Sequence, residues 1–264
     1  MQRLTPVVKN LLIINVVFFL MQQIFTGIHF TEMVSLWKFG SANFAPYQFM
    51  TYMFAHGGFM HILFNMLGLV FLGPLLEQFW GPKRFLIFYL VTGIGAGVLY
   101  NGIEYYQVSQ VQSAVDMYIA NPDPEAFNRL VVENIESANP AIYDFIDAYA
   151  KNPDNDRLEA QSVAYAKQLY NETFNFGSML GASGAIYGIL MAFGLLFPNT
   201  ELMLLFPPIP IKAKYLVLIL GAIALYSGLN RAGGDNTAHF AHLGGMVFAF
   251  FMIQIWKNDR NKFY

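Results

Sequence analysis

The chain has 264 residues, 56% of them hydrophobic, 17% aromatic and only 12% charged, against about 25% charged in an average soluble protein. So few charges cannot cover a water-soluble globule of this size, and so apolar a chain is not disordered. A net charge of −2 offers no electrostatic footing for nucleic acid, and with no cysteine there is no disulfide framework, thiolate metal site or cysteine nucleophile.

The charge is unevenly placed. Residues 101–173 hold 12 of the 17 acidic and 4 of the 15 basic residues, a local charge of −8, whereas the rest of the chain, with 5 acidic and 11 basic residues, stands at +6. Outside the acidic stretch the charges gather at the ends of long apolar runs. About 20 apolar residues cross the ~30 Å hydrocarbon layer, so these runs predict an all-α, polytopic membrane protein. Six spans are expected, roughly at 8–29, 59–79, 84–104, 182–197, 214–230 and 237–256. They divide the chain into a first membrane part (1–104), an acidic insertion (105–173) and a second membrane part (174–264).

Taken in chain order, the first span follows Arg3 and Lys9. Its apolar run is too long for a signal peptide and no small-residue cleavage site follows it, so a retained anchor is expected. Gly40, Ser41, Asn43, Pro46 and Gln48 then mark a loop lying at the interface. Pro82, Pro198 and the run Pro207-Pro208-Ile209-Pro210 punctuate the later helices. The short loops on the side of the N-terminus carry nine Lys or Arg residues and those on the other side two. Lysine and arginine favour the cytoplasmic side. The expectation is a multi-pass protein of the cell (inner) membrane with both termini cytoplasmic and the insertion extracytoplasmic. Within the insertion, Asn121-Pro-Asp-Pro-Glu and Asn152-Pro-Asp resemble helix caps between short amphipathic helices, with Val115, Tyr118 and Ile119 at helical spacing. It reads first as a solvated helical cap, with a substrate-selecting module as the alternative.

In this topology the second, fourth and sixth spans run in the same direction, so their starts share one depth. Those starts hold the unusual polar residues: His56, His61 and Asn65; Gly181-Ala182-Ser183-Gly184; and His239 and His242 in Ala238-His-Phe-Ala-His-Leu-Gly-Gly. Polar groups are costly in a bilayer and ordinarily face a cavity or a partner, so a shared site is the default reading. Singly each is modest: a membrane serine commonly packs or bonds to backbone, and a histidine such as His242 can be a satisfied core residue. Small residues tip the balance. Gly184 and Gly188, and Ala241, Gly245 and Ala249, form stripes that let helix backbones approach and bring Ser183 and His242 into reach. An imidazole beside a hydroxyl can activate it as a nucleophile. Tyr187 could stack on that imidazole, and His61, Asn65 and the first N–H groups of the fourth helix could serve a developing oxyanion.

With these motifs, His56-x4-His61-x3-Asn65, Gly181-Ala182-Ser183-Gly184 and Ala241-His242-x2-Gly245-x3-Ala249, the chain resembles the rhomboid family of intramembrane serine proteases across all six spans. The resemblance implies Ser183 as nucleophile and His242 as general base in a dyad without a carboxylate. It further implies His61, Asn65 and the Ser183 N–H as the oxyanion hole, Tyr187 packed on His242, and His56 as a structural polar residue. It implies Glu77 as a polar anchor at the far end of the second helix. His239 is the rival base, but the family's A-H-x-x-G spacing selects His242. No cofactor is implied, and the expected partners are single-span membrane protein substrates and the lipid bilayer, with a homo-oligomer left open. Two departures stand out: Tyr47-Gln48 where family members commonly have Trp-Arg, and Ala249 in place of a glycine. The competing readings are a catalytically inactive rhomboid-like binding or quality-control protein, a transporter, which should show internal repeats, and a zinc site built from His56, His61, His239 and His242.

Overall fold

Apolar side chains cover the outer surface of five helices: Ile13, Val17 and Leu20 on the first, Phe71 on the second, Ile87 on the third, Leu218 on the fifth and Phe251 on the last are all exposed. Such a surface suits lipid as solvent. The computed structural model describes residues 4–134, 140–175, 177–203, 208–230 and 238–258. Arg3, Pro207, three of the loop cations counted above (Arg231, Arg260 and Lys262) and the start of the sixth predicted span at 237 lie outside the described residues. Among the described residues, four helices are long and apolar enough to cross a membrane: α1 (Pro6–Ile24), α4 (Phe59–Trp80), α5 (Pro82–Ala120) and α11 (His239–Asn258). Two shorter apolar helices, α9 (Ser183–Leu196) and α10 (Ala213–Leu229), complete the six.

Between α1 and α4 the chain forms α2 (Phe30–Val34), α3 (Gln48–Thr51) and a 3-10 turn at Tyr52–Phe54. This stretch does more than lie at an interface, because Leu36, Tyr52, Met53 and Ala55 are buried in the helix bundle. A small antiparallel pair, β1 (Glu201–Met203) with β2 (Pro210–Lys212), joins α9 to α10 in the register Glu201↔Lys212. The first helix ends earlier than the apolar run predicts, at Ile24, where Phe25 leaves helical geometry and a 3-10 turn follows at Thr26–Ile28.

The larger difference is in α5. The expected span ends at 104, but the helix runs on to Ala120, 39 residues in all, about 58 Å at ~1.5 Å per residue. No proline or glycine after Gly102 interrupts it, and its last turns join a second hydrophobic core. That core belongs to α6 (Pro124–Asn134), α7 (Pro140–Lys151) and α8 (Asp156–Asn175), with Val115, Tyr118, Phe127, Leu130 and Tyr149 buried at its centre. The caps are where the Asn-Pro-Asp segments place them. Asp123 Oδ1 accepts from Ala126 N–H at 2.8 Å, and Asn155 Oδ1 accepts from Arg157 and Leu158 N–H at 3.0 and 3.2 Å.

At the opposite end of the membrane core, the Glu77 carboxylate on α4 caps α1. It accepts from the Thr5 hydroxyl and from Val7 and Val8 N–H, both at 3.0 Å. These are the donors that a helix start leaves unpaired, and a carboxylate also suits the positive end of the helix dipole. The central helix is α9, which packs against α4, α5, α10 and α11. Its 14 residues rise only about 21 Å, because non-helical backbone at 177–182 carries the chain down to Ser183. Irregular backbone at such depth is tolerated where it is enclosed by protein or lines a cavity.

Candidate active site

Ser183 is the first residue of α9, and the segment that delivers it is held by the loop between α1 and α4. Met179 and Leu36 exchange two backbone hydrogen bonds of 2.8 Å, and Gly181 N–H donates to the Tyr52 carbonyl at 2.9 Å. The Tyr52 hydroxyl in turn donates to the Gly93 carbonyl on α5 at 2.6 Å. Gly181 has φ +125°, a conformation that side chains rarely adopt. A Cβ there would also fall 2.6 Å from His61 Nε2.

The Ser183 hydroxyl lies 2.9 Å from Nε2 of His242 on α11. The His242 ring lies flat on Tyr187, with centroids 4.1 Å apart and an interplanar angle of 4°. Tyr187 is one turn along α9 from Ser183, so one helix supplies both the hydroxyl and the surface that fixes the imidazole. Nδ1 of His242 is buried without a hydrogen-bond partner among the described residues. His239 stands edge-on to His242 at 6.1 Å, and it is His242 that meets the Ser183 hydroxyl.

Two further donors point toward the same space. His61 Nδ1 accepts from Gly57 N–H at 3.3 Å, so the neutral ring carries its proton on Nε2. Asn65 sits one turn along α4, and its buried Nδ2 has no acceptor among the described residues. The Ser183 N–H, at a helix start, lacks an intrahelical acceptor. His56 packs edge-on against His61 at 5.1 Å. Its backbone is gripped by Gln22 of α1, which accepts from the His56 N–H at 2.9 Å and donates to its carbonyl at 3.2 Å. Ser183, His242, His61, Asn65 and Tyr187 all line one cavity of about 1000 Å³.

Close helix contact makes this geometry possible. A Cβ on Gly245 would lie 1.8 Å from the Gly184 carbonyl oxygen, so α9 and α11 touch backbone to backbone. The glycine stripe on α9 itself faces α5, however: a Cβ on Gly184 would fall 2.5 Å from the Ala96 Cβ. Gly188 faces Thr92 of α5, where a Cβ would fall 2.7 Å from the Thr92 Cβ. Sequence reasoning passed over that partner surface. Gly93, Gly95, Ala96 and Gly97 receive Met53, Phe248, Gly184 and Tyr52, respectively, and the run Gly-x-Gly-Ala-Gly was the available signal. It also passed over Gln22 and Tyr52, which act through backbone contacts that no motif announces.

Gln48 belongs to the Tyr47-Gln48 departure noted above. It is buried, and its Oε1 accepts from Trp37 and Ala45 N–H at 3.3 and 3.1 Å. Its Nε2 donates to the Asn43 and Met33 carbonyls at 2.8 and 3.4 Å. The neutral side chain thus ties the loop together from within, and the Tyr47 hydroxyl adds a bond to the Met33 carbonyl at 3.2 Å. Among the described residues no three His, Asp or Glu side chains come together in a way that could hold a metal ion. His56, His61, His239 and His242 therefore do not form the zinc site considered above.

The fold and site describe a membrane-embedded, all-helical protein with a serine–histidine pair between its helices. A family model for the Rhomboid domain matches residues 43–115 and 160–258, well over half of the chain, and the protein belongs to the rhomboid family. The unmatched stretch between these blocks holds α6 and α7. Two relatives are similar over shorter stretches. "Putative rhomboid protease YdcA" of Bacillus subtilis (strain 168) is 32% identical over 94 residues, 35% of this chain and 47% of that protein. "RHOMBOID-like protein 2" of Arabidopsis thaliana is 40% identical over 53 residues, 20% of this chain and 17% of that protein. In both cases the match spans less than half of the relative's own length.

Proposed function

We propose that the protein is an intramembrane serine endopeptidase that cuts transmembrane segments of single-span membrane proteins near the extracytoplasmic side. The observation that carries this reading is the 2.9 Å contact between Ser183 Oγ and His242 Nε2, beside unpaired donors in a cavity among membrane helices. Ser183 attacks the scissile carbonyl carbon as His242 Nε2 takes the hydroxyl proton, and that proton then passes to the leaving amine. Water, deprotonated by the same imidazole, releases the acyl group and restores the serine. Charge developing on the carbonyl oxygen beside Gly181 is met by His61 Nε2–H, Asn65 Nδ2–H and the Ser183 N–H. The Tyr187 ring keeps the imidazole in plane, a positioning role suited to a dyad with no carboxylate to orient its base. The excess of Lys and Arg in the loops at the Glu77 end supports a cytoplasmic placement of both termini and an extracytoplasmic insertion.

The test is cleavage of a single-span substrate in liposomes by wild type, Ser183→Ala and His242→Ala. Each variant is expected to lose about 10⁴-fold in rate, and normal cleavage by either would overturn the assignment. A fluorophosphonate probe should label wild type and spare Ser183→Ala. A wild-type protein that neither cleaves nor takes the probe would instead be an inactive rhomboid-like binding protein.

A further inference from the structure

The Ser183–His242 chemistry makes no use of the insertion, yet Glu172 and Thr173 within it, and Glu104 just before it, line the same cavity as Ser183 and His242. One residue holds that side of the cavity together. Lys38, in the loop after α2, pairs with Glu104 of α5 at 3.5 Å, with the two side chains only 12% and 7% exposed. The same ammonium donates to the Thr173 carbonyl near the end of α8. One turn before Glu104, Asn101 grips the loop from both sides, accepting from Phe39 N–H at 2.6 Å and donating to the Trp37 carbonyl at 3.1 Å. Two residues from Lys38, Leu36 makes the backbone bridge to Met179. A four-residue stretch of loop therefore holds both the end of the insertion and the segment leading to Ser183.

A buried ion pair is a poor device for stability alone, because desolvating both charges offsets most of their attraction. It does specify one arrangement of the groups around it. Glu104 has its cation in Lys38, whereas Glu172 has no ion-pair partner among the described residues and accepts only a hydrogen bond from Gln168, at 2.8 Å. On the membrane side the cavity wall is apolar, with Met60, Phe64 and Leu180. Its lining thus changes from apolar to charged, as the surroundings of a chain leaving a bilayer do.

We infer that the insertion is a wall of the substrate cleft. Lys38 positions it, and Glu172 favours substrates with a cationic side chain in the polar flank on the insertion's side of the cut. This inference rests on the protease reading for its substrate class. The test uses the full chain carrying Ser183→Ala, so that binding is read without cleavage. Two synthetic single-span peptides, identical except for three lysines or three glutamates in that flank, are titrated in detergent micelles at low salt. The lysine-flanked peptide should bind about ten-fold more tightly, and Glu172→Lys should reverse the order. In the protein with Ser183 intact, Lys38→Met should raise KM for the lysine-flanked substrate about ten-fold with the loss falling on KM rather than kcat, and Lys38→Arg should recover most of it. Equal affinities for the two peptides, unchanged by Glu172→Lys, would overturn the inference. So would a Lys38→Met effect confined to kcat or left unrescued by arginine, which marks a merely structural lysine. If wild type cuts neither peptide yet binds them with the flank preference, the protease reading fails and the cleft wall stands.

Discussion

In the membrane core, α9 and α11 meet backbone to backbone, whereas in the insertion helices meet through aromatic side chains. Gly245 rests on the Gly184 carbonyl, and Gly188 on Thr92. In the insertion, Phe145 stands edge-on to Phe127 at 5.6 Å and to Tyr165 at 4.9 Å, while the Tyr118 hydroxyl bonds to Ser162. The difference follows from the solvent. Lipid gives apolar side chains no reason to leave it, so membrane helices associate through close van der Waals contact at small residues. Water drives large apolar side chains together, and amphipathic helices answer with a core of aromatics under a charged surface. The same close approach brings Ser183 and His242 together, so the proposed chemistry belongs to the region with the tighter backbones.

This contrast can be broken in order of expected effect. Loss of Ser183 or His242, at about 10⁴-fold, should exceed any single change within α6 or α7, as cleavage rates would show. Asn65→Ala removes an unpaired donor beside the proposed nucleophile, and kcat should fall about 10²-fold with fluorophosphonate labelling slowed in parallel. Gly245→Val drives a branched side chain into the Gly184 carbonyl. It should cost about 3 kcal/mol or more, read as loss of folded protein in a thermal melt in detergent. Phe127→Ala should cost about 3–5 kcal/mol within the insertion, seen as faster proteolytic nicking of α6 and α7 while Ser183 still takes the probe. If both reactions change together, the insertion and the core are one cooperative unit. Glu125→Ala, which breaks the exposed 2.8 Å pair with Arg129, should change stability by less than about 1 kcal/mol.

Much of the site was legible because membrane residence makes polar residues rare. His61, Asn65, Ser183 and His242 stand out against apolar neighbours, and their spacing matches one family. The helix limits were legible too, within two residues for α4, α9 and α10, since apolar runs end where charges or prolines begin. The far end of α5 was not, because its membrane part and its amphipathic part differ in composition without a break in helical backbone. Gln48 was legible only as a departure from Trp-Arg, since no local pattern tells whether a glutamine will be buried among carbonyls.

By itself the sequence determined the membrane class, the number of apolar helices, the acidic insertion and the residues able to do chemistry. All of these depend on local composition and short spacings. Tertiary structure alone decided which faces the small residues present, turning Gly184 and Gly188 to α5 and Gly245 to the Gly184 carbonyl, and which loop holds the segment before Ser183. It also decided that Glu104 and Glu172, from the acidic stretch, share a cavity with the serine and the histidine. These depend on contacts between residues 60 or more positions apart, such as Phe39 with Asn101 and Lys38 with Thr173, and local spacing carries no record of such pairings.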